Sequence, residues 1–517
     1  MRRLGVVGAG TMGAGIAQVA AQSGFDVLLY DVDPEALARA LGRVESDLQR
    51  QAARGRIPDA QVAEVLGRIT TTTSLGDFAA ADFVIEAAPE DLELKRRLFE
   101  RLDRLCREDV VLATNTSSLS VTQIGALAGR ADRVVGMHFF NPVPAMRLVE
   151  VVGGDASGEA ALQATVSLAE AMGKVPVRVR DTPGFIVNRV ARPFTGEALR
   201  LLGDQVATAA QIDRIARLAC GFRMGPFELM DLVGMDINFA VHRSVYEQFF
   251  GDPRFRPHPL QERMVKAGRL GRKTGQGWYR YREGRALDGP APAQHSLAPT
   301  PRLPEIRNVA VLGDADLADL AARAGYRMVD CCADADLVVL GDPALLVGRQ
   351  PAPGVVVLIE ASTRSTTELA TQVVNPARVV GYGGIPRVSR RELVEVAPGL
   401  RTDPAATATA VRFFHSLGRD TEVVTDSPGL VAARLLACLI NEAAFALQEG
   451  IATAEAIDTA MQLGLNYPLG PLEWADELGP DKVLAVLEGL QRETGEERYR
   501  PAPYLRKRVL AGMPLRG

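Results

Sequence analysis

The chain has 517 residues, 47% of them hydrophobic and 24% charged, with a formal net charge of -4. That is enough for several cores and roughly three to five domains of a soluble globular protein. The charge balance leaves no basic excess for a phosphate backbone, so nucleic acid is not an expected partner. Five cysteines without C-x-x-C spacing fit a reducing cytoplasm. No apolar leader follows Arg2 and Arg3, and the most apolar later stretch, 430–440, is short and carries Arg434. Neither an export signal nor a membrane span is expected, nor a metal site.

In chain order, residues 4–8 read as a strand, a glycine turn follows, 15–23 read as a helix and 27–30 as a second strand. Further strand-like runs at 83–86, 110–114 and 134–138 alternate with helical patterns, as a doubly wound parallel sheet requires. From Asp181 to about Tyr281 the pattern turns helical, with breaks at Thr182-Pro183-Gly184 and Gly225-Pro226. Residues 284–304, rich in Pro, Ala and Gly, read as a connector. The expected domains are a nucleotide domain at 1–180, a helical one at 181–283, a linker at 284–304, a degenerate nucleotide-type domain at 305–425 and a second helical one at 426–517.

The last two repeat the first two. Asp181-Thr-Pro-Gly and Asp426-Ser-Pro-Gly open segments that align without a gap at a constant offset of 245, carrying Arg189 onto Arg434, Glu197 onto Glu442 and Gly225-Pro226 onto Gly470-Pro471. Upstream, Arg378-Val-Val-Gly381 with Leu393-Val-Glu395-Val mirrors Arg133-Val-Val-Gly136 with Leu148-Val-Glu150-Val. The second copy reads as catalytically dead, because Ala315, Ala318, Gly383 and Ala433 stand opposite Gly10, Gly13, His138 and Asn188.

Gly8-x-Gly10-x-x-Gly13 follows a strand and opens a helix, so the backbone can turn tightly and bring a pyrophosphate to the positive helix end. Asp31, at the end of the second strand, can accept the ribose hydroxyls and would repel a 2′-phosphate, which favours NAD over NADP. Asp33, before Pro34, reads better as a helix cap. An alcohol giving up hydride needs a base for its proton. Of the five histidines, His242, His258, His295 and His415 fall outside the first nucleotide domain. His138 ends a strand of its sheet, and the turn 141–146 would return Glu150 beside it. The pair reads equally well as a satisfied core histidine with a rim glutamate.

Ala113-Thr-Asn-Thr-Ser117-Ser-Leu, Gly136-Met-His138-Phe-Phe-Asn-Pro-Val-Pro-Ala-Met-Arg-Leu-Val-Glu150 and Asp181-Thr-Pro-Gly-Phe-Ile-Val-Asn188-Arg resemble the 3-hydroxyacyl-CoA dehydrogenase family over residues 1–281. The resemblance implies a Rossmann-type domain joined to an all-α domain and NAD-dependent oxidation of an (S)-3-hydroxyacyl-CoA. On matching positions it implies His138 and Glu150 as the catalytic pair, with Ser117 and Asn188 on the substrate oxygens. It further implies NAD contacts from Asp31, Glu90, Lys95 and Asn141, with Lys273 closing over the cofactor. Family lysines for the CoA phosphates correspond loosely to Arg50, Arg54 and Arg56. The duplicated half resembles longer bacterial members acting on 3-hydroxyadipyl-CoA or 3-hydroxybutyryl-CoA. Shorter relatives resemble dimers, so the two helical domains are expected to pack as an internal pseudo-dimer, with a homodimer left open. Two rivals remain, a dehydrogenase of a free 3-hydroxy acid and an NAD-binding protein without turnover.

Overall fold

The computed structural model describes residues 2–290, 305–346 and 351–517, so the connector from 291 onward, with His295, falls outside the described residues. The chain divides into two compact units, Met1–Arg189 with Glu449–Asn466, and Val190–Gln448 with Tyr467–Gly517.

In the first unit, β1 (Arg3–Val7), β2 (Asp26–Tyr30), β3 (Ile69–Thr72), β4 (Phe83–Glu86), β5 (Val111–Thr114), β6 (Val134–Phe139), β7 (Leu148–Gly153) and β8 (Val175–Arg180) form one sheet in the order 3-2-1-4-5-6-7-8. Only β6 and β7 run antiparallel. Alternate residues feed two cores: Val6, Ile85 and Ala113 lie on one face, Val7, Val84 and Leu112 on the other. Burial on both faces explains why these strands read as unbroken apolar runs. The first helix spans Thr11–Gln22 and starts earlier than the expected 15–23. Gly13 and Gly15 weaken local propensity, but close packing requires them: a Cβ on Gly15 would sit 2.9 Å from Val143. Between β2 and β3 stand the helices Pro34–Ala53 and Asp59–Gly67. Asp33 caps the first of them, accepting from Glu35 N at 2.9 Å.

A helix from the second repeat completes this unit. Ala454–Leu465 packs on β7 and β8, so closely that a Cβ on Gly464 would lie 2.9 Å from Leu148 and 3.0 Å from Val187. Ile451 O accepts from Arg180 N at 2.9 Å.

The second unit holds a seven-stranded sheet, in spatial order Arg327–Met328, Asn308–Leu312, Leu337–Leu340, Val356–Glu360, Val379–Tyr382, Leu393–Pro398 and Asp420–Val423. Its strand order repeats that of the first sheet without the β3 equivalent and the helical hairpin. Contacts repeat too, with donor and acceptor in exchanged copies. Thr425 N donates to Val206 O at 2.8 Å, the image of Arg180 to Ile451 under the offset of 245. The helix Ala209–Leu218 packs on Leu393–Pro398, and its Arg214 binds Glu422 at 2.6 Å and also Asp420. Along the paired helices Arg192–Gly203 and Ala432–Gln448, Glu197 accepts from Arg434 at 3.0 Å and from the Tyr499 hydroxyl at 2.8 Å. No helix among the described residues is long and apolar enough to cross a membrane.

Candidate active site

The glycine turn between β1 and the helix Thr11–Gln22 has no room for side chains. Gly8 holds φ at 103°, with a would-be Cβ 2.6 Å from Ala87 O, and a Cβ on Gly13 would lie 1.7 Å from Gly8 O. Gly10 caps the helix without a side chain, so the first-turn N–H groups have no internal acceptor and can meet a phosphate. Asp31 follows β2, and its Oδ2 accepts from Ala9 N at 2.8 Å, tying the carboxylate to the turn. This cradle fits a dinucleotide with a free ribose diol.

β6 and β7 pair in the register that sets His138 opposite Glu150, as the turn between them requires. His138 Nδ1 lies 2.7 Å from Glu150 Oε2, with the imidazole 6% exposed and Glu150 fully buried. Glu150 Oε1 accepts from Ile186 N and Val187 N, each at 3.0 Å, at the start of the short helix Val187–Val190. A carboxylate held from three directions accepts the ring N–H, which leaves the Nε2 lone pair free for a proton. Phe140 lies 4.5 Å from the imidazole centroid and Phe185 5.7 Å, so the ring has few orientations. Phe185 holds φ at 50°, a strained backbone that turns the chain into Glu150's donors.

The other expected residues surround this pair or sit away from it. Glu90 accepts from Thr116 Oγ1 at 2.5 Å, Ser117 N at 3.0 Å, and Ser118 N and Oγ at 3.1 and 2.9 Å. Burial opposes its charge, yet Lys95 and the hydroxyl donors hold its carboxyl below the usual range. The Ser117 hydroxyl has no partner among the described residues. Asn188 is half-exposed in the turn that binds Glu150. Lys95 does not stand open to a ligand: it is 1% exposed and bonds Glu86 at 2.7 and 2.8 Å, so it supports Glu90 from beneath at 3.5 Å. Asn141 is exposed and shares a cleft with Thr11 and Gly15. Lys273 belongs to the second unit, where it pairs with Asp236 at 2.6 Å.

Three further residues support the site in ways that the sequence did not specify. Lys174 Nζ donates to Val143 O at 2.6 Å and Met146 O at 2.8 Å, clamping the turn between β6 and β7, and burial pushes its ammonium down to about 8. Asp181 accepts from Ser120 Oγ at 2.6 Å and Thr122 N at 2.7 Å, locking β8's end to the loop after β5. Arg189, next to Asn188, is fully buried and binds Glu449 of the second repeat at 2.8 and 3.0 Å. The offset of 245, which sets Asp181 opposite Asp426 and Arg189 opposite Arg434, also places Glu449 opposite another acid, Asp204.

A glycine cradle that fits a dinucleotide, at the carboxyl ends of the strands of a doubly wound sheet, is the arrangement of an NAD-dependent oxidoreductase. A family model described as 3-hydroxyacyl-CoA dehydrogenase, NAD binding domain, matches residues 3–182 and 347–427, and the corresponding C-terminal domain matches 184–281 and 429–516. The chain belongs to the 3-hydroxyacyl-CoA dehydrogenase family, with both domains present twice. It is 40% identical over 511 residues to the 3-hydroxyadipyl-CoA dehydrogenase of Escherichia coli (strain K12), covering 99% of this chain and 98% of that one. It is 42% identical over 279 residues to the 3-hydroxybutyryl-CoA dehydrogenase of Clostridioides difficile, 54% of this chain and 99% of the relative. The crystal structure of 3-hydroxybutyryl-CoA dehydrogenase from Escherichia coli K12 superposes with a TM-score of 0.84 at 40% identity, covering 99% of this chain and 98% of that one. The enzyme is thus an NAD-dependent 3-hydroxyacyl-CoA dehydrogenase.

Proposed function

We propose that the chain oxidises (S)-3-hydroxyacyl-CoA to 3-oxoacyl-CoA with His138 as the general base, and that 3-hydroxyadipyl-CoA or a short-chain homologue is its substrate. The observation that carries this is the 2.7 Å contact of His138 with a fully buried Glu150. Nε2 takes the C3 hydroxyl proton, and Glu150 offsets the charge that grows on the imidazole. Bound NAD would supply the acceptor for the C3 hydride. Asp31 would hold its ribose, while Gly8, Gly10 and Gly13 admit its pyrophosphate. Ser117 and Asn188 donate to the C3 oxygen and the thioester carbonyl. Asn141 and Glu90 would complete the cofactor's surroundings, with Lys95 acting through Glu90.

The helix Pro34–Ala53, its following turn and the loop 141–145 border a cleft of about 930 Å³. Arg54 and Arg56 line it and have no partner among the described residues, whereas Arg50 is engaged by Ser46 and Asp47. We assign the CoA phosphates to Arg54 and Arg56, since an unpaired guanidinium suits a phosphate. The second repeat serves as a structural partner to the first, an internal pseudo-dimer supported by the exchanged contacts.

NAD reduction with (S)-3-hydroxyadipyl-CoA, (S)-3-hydroxybutyryl-CoA and free 3-hydroxybutyrate tests the assignment. Preference for the adipyl thioester fits the full-length relationship to the Escherichia coli enzyme of that name. Preference for the butyryl thioester moves the substrate to the short-chain class. Turnover of the free acid alone overturns the reading.

A further inference from the structure

In the first unit a side chain joins the glycine turn to the helix Pro34–Ala53. Arg43, exposed on that helix, reaches across and donates from Nη2 to the Ala9 carbonyl at 2.8 Å. Ala9 is thereby held at both of its backbone polar atoms, because its N donates to Asp31 Oδ2 at 2.8 Å. The charged groups around Arg43 are committed elsewhere. Arg39 pairs with Asp33 at 3.0 Å and Glu35 at 3.3 Å, and Asp47 accepts from Gln18, Gln51 and Arg50 at 2.8, 2.7 and 3.1 Å. Arg43 lines the cleft together with Thr11, the first residue of the helix that follows the turn, and no acid pairs with it among the described residues. A guanidinium anchored by one nitrogen on a backbone oxygen keeps the rest of its donor fork for another acceptor.

The charge balance of the turn calls for such a group. A dinucleotide brings a negative charge on each phosphate, the turn offers neutral N–H groups and the partial positive charge of a helix end, and Asp31 adds a negative charge beside them. The second copy, where Asp314 closes the equivalent helix end, also lacks the helical hairpin that carries Arg43. The open helix end and the arginine thus occur together. We propose that Arg43 is a further cofactor-binding residue, its guanidinium pairing with the pyrophosphate of NAD laid on the helix end and offsetting the charge of Asp31. The assignment rests on NAD binding and not on the role of His138.

Binding measured without turnover on the full-length protein tests this, with NADH followed by fluorescence and ADP-ribose and adenosine by its displacement. Arg43→Met is expected to raise Kd about tenfold for NADH and for ADP-ribose, which both carry the pyrophosphate, and to leave adenosine within about twofold. Arg43→Lys, which keeps the charge without the fork, is expected to fall between wild type and Arg43→Met. KM for the CoA thioester at saturating NAD is expected to stay within about twofold in both variants. An unchanged Kd for NADH in Arg43→Met overturns the contact. Equal weakening of adenosine and ADP-ribose overturns it as well, because Arg43 then acts as a tether of the turn and not as a phosphate ligand. A raised KM for the CoA thioester with NADH affinity unchanged gives the arginine to the CoA phosphates and overturns the assignment to NAD.

Discussion

The two repeats hold their glutamates in the same way and differ in what stands opposite. Glu150 accepts from Ile186 N and Val187 N, and Glu395 accepts from Val431 N and Ala432 N, after turns in which Phe185 and Leu430 hold φ at 50° and 46°. Across the strand pair the first copy has His138 and the second Gly383, beside which Arg391 is buried. The glycine turns diverge as well. Gly10 leaves its helix end open, whereas Asp314 closes the equivalent end by accepting from Leu317 N at 3.0 Å. The glutamate is therefore part of the architecture of the turn in both copies, and only the first gives it an imidazole to bond. Without an imidazole, burial pushes the Glu395 carboxyl up to about 7.

The largest test of this contrast is His138→Gln, which should lower kcat by about a hundredfold or more while NAD binding, measured by fluorescence, is retained. Full activity would erase the distinction between the copies. Glu150→Gln should cost a comparable factor and shift the pH–rate profile, whereas Glu395→Gln should leave kcat within about twofold. An unmoved profile in the first would mean that His138 and Glu150 are not coupled. Glu395 also carries a stability signature. A carboxyl raised in the folded state lends stability below its ordinary range and loses it as pH rises through about 7. Urea unfolding should show Glu395→Gln flattening that loss by up to about 3 kcal/mol between pH 5 and pH 8. Glu449→Ala is expected to cost about 3 kcal/mol of stability, read by urea unfolding, because it removes the acid that the fully buried Arg189 guanidinium binds. Arg54→Ala with Arg56→Ala should raise KM for the CoA thioester about tenfold and leave a pantetheine thioester nearly unaffected.

The pairing of His138 with Glu150 was legible because a short turn between two strands fixes register, and an antiparallel register puts partners in contact. The dinucleotide cradle was legible for a related reason, since glycines at that spacing leave backbone as the only possible wall. The start of the first helix was not, because tertiary packing overrode the low propensity of Gly13 and Gly15. Lys95 was named only through the resemblance, and its burial against Glu86, with Glu90 at 3.5 Å, had no signal in the sequence. Arg43 had no sequence signal at all. Its anchor, the Ala9 carbonyl, is brought near it only by the fold.

The helix Ala454–Leu465 and Glu449 have a consequence for how the enzyme is made. Arg189 meets its acid partner 260 residues later in the chain. At about 5 to 20 residues per second on the ribosome, the turn that binds Glu150 waits roughly 13 to 50 s for that partner after Arg189 has been joined to the chain. During that interval the outer face of β7 and β8 lacks its covering helix, so nascent chains are most exposed to aggregation and chaperone capture then. Slowing translation after the first repeat should lengthen that vulnerable period without altering the finished molecule.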